Sequence, residues 1–309
     1  MLVALDGPLV AAALDPVVEG GRYPWQDVIP SDVESIPVGD SIPYEALAAQ
    51  RPDLIVVSWA AADEGDYERL SEIAPTIPLL GDEEVDTWQD MAAVAGRLLD
   101  EEDEAEALVT EAEQLTADLA GDLPGLAGRT YALANWVPGD AIYVVADPDD
   151  GSATFFAQLG MEIDPELLAA ADGATGRLEL SLERVDELDA DLLVLLTNGA
   201  APDEIPGYDA LPAVRSGAVA NLDVATVTGL NTPSPLSIPY AVDAILPALE
   251  AAATDAAAGL KARAGETGDL PAPVIRLIER EVVVDDVEDL ALRHSWSFQA
   301  TSELCPATA

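Results

Sequence analysis

The residues best suited to chemistry in this chain are aromatic and stand where strands are expected to end. Trp59 closes the apolar run 54–58 (LIVVS), Trp136 closes the run 130–135 (TYALAN), and Tyr23 and Trp25 follow Val17 and Val18 in PVVEGGRYPW. Only 5% of the chain is aromatic, so three of its five tryptophans at such positions is a concentration. In an open parallel sheet, ligands meet the loops beyond the carboxyl ends of the strands. Flat, rigid rings there suit a large, partly apolar ligand with a π-rich or chelate surface, held without covalent chemistry. The same placement also fits rings that merely close the end of a core. Polar contacts would come from Arg22, Tyr143, Tyr208 and Asn198, with Arg177 and Arg215 behind Arg22. Arg51 and Arg129 fall at strand starts, away from the ligand end. A lone arginine is also at home in water, and an asparagine just past a strand also caps loops.

Other chemistries lack their parts. His294 is the only histidine and Cys305 the only cysteine, both near the end of the sequence. A multi-histidine metal site, an internal disulfide or a Ser-His-Asp triad in the main body is therefore ruled out. There is no G-x-S-x-G elbow and no Gly-rich phosphate loop after a strand. With 59 acidic residues, no carboxylate pair stands out for acid-base work. Against those 59 stand 13 basic residues, a formal net charge of -46. Such a surface repels nucleic acid and anionic bilayers, and it fits a salty setting or plain solubility. No apolar span is long enough to cross a membrane, and the start, MLVALDGPLVAAAL, lacks the basic flank of a signal peptide.

The elements that must position these residues are written twice. Residues 42–57 read IPYEALAAQRPDLIVV, and residues 180–195 read LSLERVDELDADLLVL. In each, a glutamate (Glu45, Glu183) lies in a short amphipathic helical stretch, and an aspartate (Asp53, Asp191) at the same interval opens an apolar run. The echo continues from 70–80 (LSEIAPTIPLL) to 211–223 (LPAVRSGAVANLD). Continuous apolar runs with helical pattern beside them are how buried parallel strands read. Repetition then predicts an α/β fold of two Rossmann-like lobes with parallel sheets and a ligand cleft between them. Residues 103–119 contain neither Gly nor Pro and predict one long helix joining the lobes. The expected organisation is a first lobe at 1–100, a connecting helix at 101–122, a second lobe at 123–250, and a linker with an unassigned tail at 251–309. Ser237 is expected to cap a helix that Pro239 begins.

Glu45 and Glu183, matched by the repeat, each belong on the outer surface of a lobe. Two such carboxylates could dock on a partner bearing two arginines, or could simply be solvated helix residues in an acidic chain.

With these features in place, the chain resembles the solute-binding proteins of ABC importers that carry ferric siderophores, haem or cobalamin, the class whose lobes are joined by one long rigid helix. The resemblance covers about residues 10–250 and rests on the order and spacing of YEALAAQRPDLIVVSW, YERLSEIAPTIPL, WQDMAAVAGRLL, FFAQLGM, LSLERVDELDADLLVLL, LPAVRSGAVANLD and SIPYAVDAILPALE. It implies that Glu45 and Glu183 dock on arginines of an ABC permease dimer. It implies that the strand-end aromatics touch the ligand and that the cleft closes only modestly around it. The ferric-siderophore branch is the nearest, which makes the siderophore a transported ligand and leaves no resident cofactor, metal site or catalytic residue. The protein is expected to act as a monomer outside the cytoplasmic membrane. Set against the family pattern, the chain starts inside or just after the strand that opens the first lobe, has no aromatic near Asn231, and has no counterpart for its tail. A haem or corrinoid binder of the same fold, and an intracellular α/β enzyme acting on a metal chelate, are the alternatives.

Overall fold

A computed structural model of the chain describes residues 1–15, 18–38, 41–57, 64–78, 87–171 and 177–266. The duplicated sequence becomes a duplicated structure. In the first lobe, β1 (Ala11–Leu14) pairs in parallel with β2 (Glu34–Pro37), α1 (Tyr44–Gln50) follows, and β3 (Ile55–Val56), α2 (Glu64–Ile73) and β4 (Thr76–Ile77) form a parallel βαβ unit. After α3 (Trp88–Leu99) comes α4 (Glu102–Asp122), the long helix expected over 103–119. Its first turn carries Glu102, Asp103 and Glu104, which favour the partial positive charge of a helix start. Ala105, Ala112, Thr116 and Leu119 form its buried stripe.

The second lobe is built from β5 (Thr130–Trp136), β6 (Ile142–Val145), α5 (Gly151–Gln158), β7 (Glu162–Ile163), α6 (Pro165–Ala170), β8 (Arg177–Leu180), β9 (Leu192–Leu196), α7 (Pro212–Ser216), β10 (Val219–Leu222) and α8 (Val224–Asn231). Its sheet runs in the order β10-β9-β5-β6-β8, with β7 beside the start of β5. The βαβ unit β9-α7-β10 repeats β3-α2-β4, and both strand pairs are parallel. All five residues of β9 are at most 7% exposed. Burial on both faces explains why this run is continuously apolar, and each such leucine contributes roughly 1.5–3 kcal/mol.

Three local expectations need correction. The second sheet is not wholly parallel, because β6 runs against both β5 and β8. The chain reverses between β5 and β6 in a tight turn in which the Val137 amide donates to the Ala141 carbonyl at 2.9 Å and Gly139 takes φ 84°. A hairpin this short permits only antiparallel pairing, and Pro138-Gly139-Asp140 was its sequence signal. The stretch around Glu183 is a 3-10 turn, Leu182–Glu187, bent at Arg184, whereas Glu45 lies in the first turn of the α-helix α1. Finally, α9 (Ser237–Glu266) runs past the expected end near residue 250, through an alanine-rich segment with high helix propensity. Ser234 rather than Ser237 supplies a cap at its start, accepting from the Ser237 amide at 3.0 Å. Ser237 Oγ instead donates to the Gly229 carbonyl at 3.2 Å and ties α9 to α8.

Met1–Asp255 is one compact unit. The expected tail, beyond Glu266, lies outside the described residues. Among the described residues no helix is long and apolar enough to cross a membrane.

Candidate ligand site

The register of the second sheet defines its two edges. Trp136 at the end of β5 lies opposite Ile142, which in turn lies opposite Leu180 at the end of β8. Leu196 at the end of β9 lies opposite Asn135. These strand ends form the carboxyl edge, where a ligand is expected in an open α/β sheet.

Two sequence candidates meet there. Asn198 follows β9 with φ 53°, a left-handed conformation that asparagine tolerates. Its Nδ2 donates to Asn135 Oδ1 at 2.7 Å and to the Trp136 carbonyl at 2.8 Å. Tyr143 is the direct cross-strand partner of Asn135 and of Glu179, and its hydroxyl donates to Asp140 Oδ2 at 2.9 Å. That hydrogen bond raises the Tyr143 phenol above its usual range. Asn135, Asp140 and Glu179 were not singled out from sequence. The alternation along β5, which sets Asn135 between buried Ala134 and Trp136, was the available signal.

Trp136 itself does not offer a ring face. It is 4% exposed, belongs to the main apolar core, and its Nε1 has no hydrogen-bond partner among the described residues. Its side chain alternates to the covered face of β5 and backs the polar edge. Tyr208 sits in the 3-10 turn Tyr208–Ala210, half-buried against the same core. Trp59 lies outside the described residues, which resume at Glu64.

A second group joins the lobes. Tyr23 and Trp25 stack at 4.8 Å between centroids and 13° between planes, and Trp25 meets Tyr240 of α9 at 5.3 Å. Gly229 of α8 makes room for it: a Cβ there would lie 3.2 Å from Trp25 Cη2. The Tyr23 hydroxyl donates to Asp15. Burial, and then this hydrogen bond, push the Tyr23 phenol up to about 12. The structure therefore brings Tyr23 and Trp25 together with Tyr240, a residue that sequence reasoning missed.

Arg22, Arg177 and Arg215 are placed differently from expectation, whereas Arg129 stands at a strand start as expected. Arg22 is bound into its own lobe, donating to Ser35 Oγ at 2.7 Å and to the carbonyls of Val33 at 3.4 Å and Ile29 at 3.5 Å. Arg177 opens β8 opposite Val145, at the far edge of the sheet, and pairs with Asp150 at 2.9 Å. Arg215 lies in the last turn of α7, before β10 begins at that same far edge. Arg129 stands there too, paired with Asp191, whose Oδ2 also accepts from the Thr130 amide at 3.0 Å. Glu45 and Glu183 are exposed, and neither forms a hydrogen bond or ion pair among the described residues. Beside Glu183, Arg184 is held by Glu187 in two contacts of 2.5 and 2.6 Å. Among the described residues no group of three or more His, Cys, Asp or Glu side chains is arranged to hold a metal ion.

Two α/β lobes, a long helix and a polar edge at the strand ends define a two-lobed solute-binding fold. The chain belongs to the periplasmic binding protein family, whose sequence profile matches residues 9–226. Membership places such proteins outside the cytoplasm, as binding components of transport systems. No curated protein sequence matches the chain. Among solved structures, a periplasmic solute-binding protein from Mycobacterium smegmatis is 24% identical, with a TM-score of 0.66, covering 81% of this chain and 87% of that one. The iron uptake substrate-binding protein PiaA of Streptococcus pneumoniae in complex with ferrichrome is 22% identical, with a TM-score of 0.63, covering 82% and 90%. FhuD2 of Staphylococcus aureus with bound ferrioxamine B is 21% identical, with a TM-score of 0.61, covering 82% and 94%. At these identities the likeness is one of fold.

Proposed function

We propose that this protein is the solute-binding subunit of an ABC importer, and that it captures a ferric siderophore between its lobes and delivers it to a permease. The observation that carries the reading is the polar carboxyl edge of the second sheet, in a fold shared with structures solved with ferrichrome and ferrioxamine B. Such a site does its work by binding and release, and no step breaks a covalent bond. Tyr143, Asn198 and Asn135 would hydrogen-bond the chelate's polar rim, with Trp136 behind them. Trp25, Tyr23 and Trp59 would supply aromatic surface from the first lobe, and Arg22 would hold the loop that presents them. Tyr208 would stand near the mouth. Glu45 and Glu183, exposed and unpaired, would dock on permease arginines, one from each lobe.

Tryptophan fluorescence of the folded chain during titration with ferric siderophores, haem and cobalamin tests this reading. Saturable quenching by a ferric siderophore, weakened in Trp59→Ala and in Tyr143→Phe, is the expected result. Saturation by haem or cobalamin alone would overturn the ligand assignment, and no saturation by any of them would overturn the binding function.

A further inference from the structure

The inventory of positive charge narrows the ligand. The two lobes, residues 1–255, contain eight basic residues, all arginines and all described; the segments at 16–17, 39–40, 58–63, 79–86 and 172–176 hold none. Arg129 and Arg177 are paired with Asp191 and Asp150 at the edge of the sheet remote from the candidate site. Arg184 is held by Glu187, and Arg22 keeps its charge but is fixed within the first lobe by Ser35 and two carbonyls. Arg69 lies over the Tyr44 ring at 5.5 Å, and that tyrosine in turn donates to Asp66. Arg51, Arg97 and Arg215 stand at the carboxyl ends of α1, α3 and α7, where cations are favoured by the helix dipole. Of the second lobe's four arginines, Arg129, Arg177 and Arg215 stand at the remote edge and Arg184 is paired with Glu187, so none of them is an unpaired cation at the carboxyl edge.

What does stand at that edge is neutral or negative. Asn135 and Asn198 face it, Asp140 accepts from Tyr143, and Glu179 lies opposite Tyr143 on the neighbouring strand. An anion there would meet carboxylates within about one Debye length, roughly 8 Å at physiological salt, with no unpaired guanidinium of the second lobe to offset them. We infer that the site takes neutral or cationic ferric chelates, hydroxamates among them, and excludes anionic ones such as tricatecholate and citrate complexes. The inference rests on the proposed siderophore-binding function and adds the charge class of the ligand. Selection is by a repulsive element as much as by fit.

The test is fluorescence titration of the full chain with four iron complexes: ferrioxamine B, which carries an ammonium group, neutral ferrichrome, a tricatecholate and citrate, each at low and high salt. The expected result is saturation by one or both hydroxamates, with the anionic complexes at least about tenfold weaker and the gap narrowing as salt rises. Asp140→Asn should strengthen anionic binding several-fold and weaken ferrioxamine B. An anionic complex that binds as tightly as the better hydroxamate overturns the charge inference and leaves the siderophore function standing. Failure of all four with a folded protein overturns that function and the inference with it.

Discussion

Asn198 donates its side-chain amide to the backbone carbonyl of Trp136 at 2.8 Å, so a residue just past β9 clamps the end of β5. The clamp fixes the polar edge on which the proposed site is built. Asn198→Gly keeps the left-handed backbone and loses the clamp, and should cost about 1 kcal/mol. Asn198→Ala adds the strain of a positive φ, about 1 kcal/mol more. Urea unfolding midpoints measure both, and equal stability of the parent and the glycine variant would remove the clamp from the account.

Asp191 ties the opposite edge together, through Arg129 and the Thr130 amide. Asp191→Ala leaves a part-buried guanidinium and an amide without their acceptor, a loss of roughly 1–3 kcal/mol. Ligand affinity should not change, because this edge faces away from the proposed site. A variant with weakened binding and unchanged stability would contradict that placement.

Tyr131 offers the reverse experiment. Its ring is 1% exposed, it packs on Phe156 at 4.3 Å, and its hydroxyl has no partner among the described residues. Tyr131→Phe keeps the ring and removes an unsatisfied polar atom, so stability should stay within about 0.5 kcal/mol of the parent or rise. A loss of 2 kcal/mol or so in thermal unfolding would mean the hydroxyl is satisfied in solution.

Tyr23 couples the lobes to alkaline pH. Its folded value of about 12 stands above the ordinary tyrosine value of 10.0, so the folded state holds this proton more tightly than the unfolded one. The associated stability is complete below pH 10 and is lost as pH rises toward about 12. Tyr44, Tyr131 and Tyr143 are shifted the same way, so the parent declines for several reasons. Tyr23→Phe should decline less steeply than the parent in denaturant titrations across that window. Parallel curves would show that Tyr23 ionises freely.

Docking is tested by charge reversal. Glu45→Arg and Glu183→Arg should leave ligand titrations unchanged and each reduce uptake through the cognate permease, with the double variant near zero. Normal uptake by the double variant would assign both carboxylates to the solvent.

Much of this protein could be read from its letters because burial leaves a periodic record. The apolar run of β9, the Gly- and Pro-free stretch that became α4 and the matched Glu45 and Glu183 each depend on local pattern, and repetition made two lobes the economical reading. What pattern could not supply was the partner of each polar group. Nothing near Arg22 in sequence announces Ser35, nothing near Arg129 announces Asp191, and nothing near Trp25 announces Tyr240. Whether Trp136 faces a ligand or the core depends on which side of β5 is covered, and strand alternation fixes that only once the neighbouring elements are in place. The sequence by itself determined the lobes, the long helix and the excess of negative charge. Tertiary structure alone decided which arginines are neutralised and where, because ion pairs and hydrogen bonds join residues that are distant along the chain and adjacent only after folding.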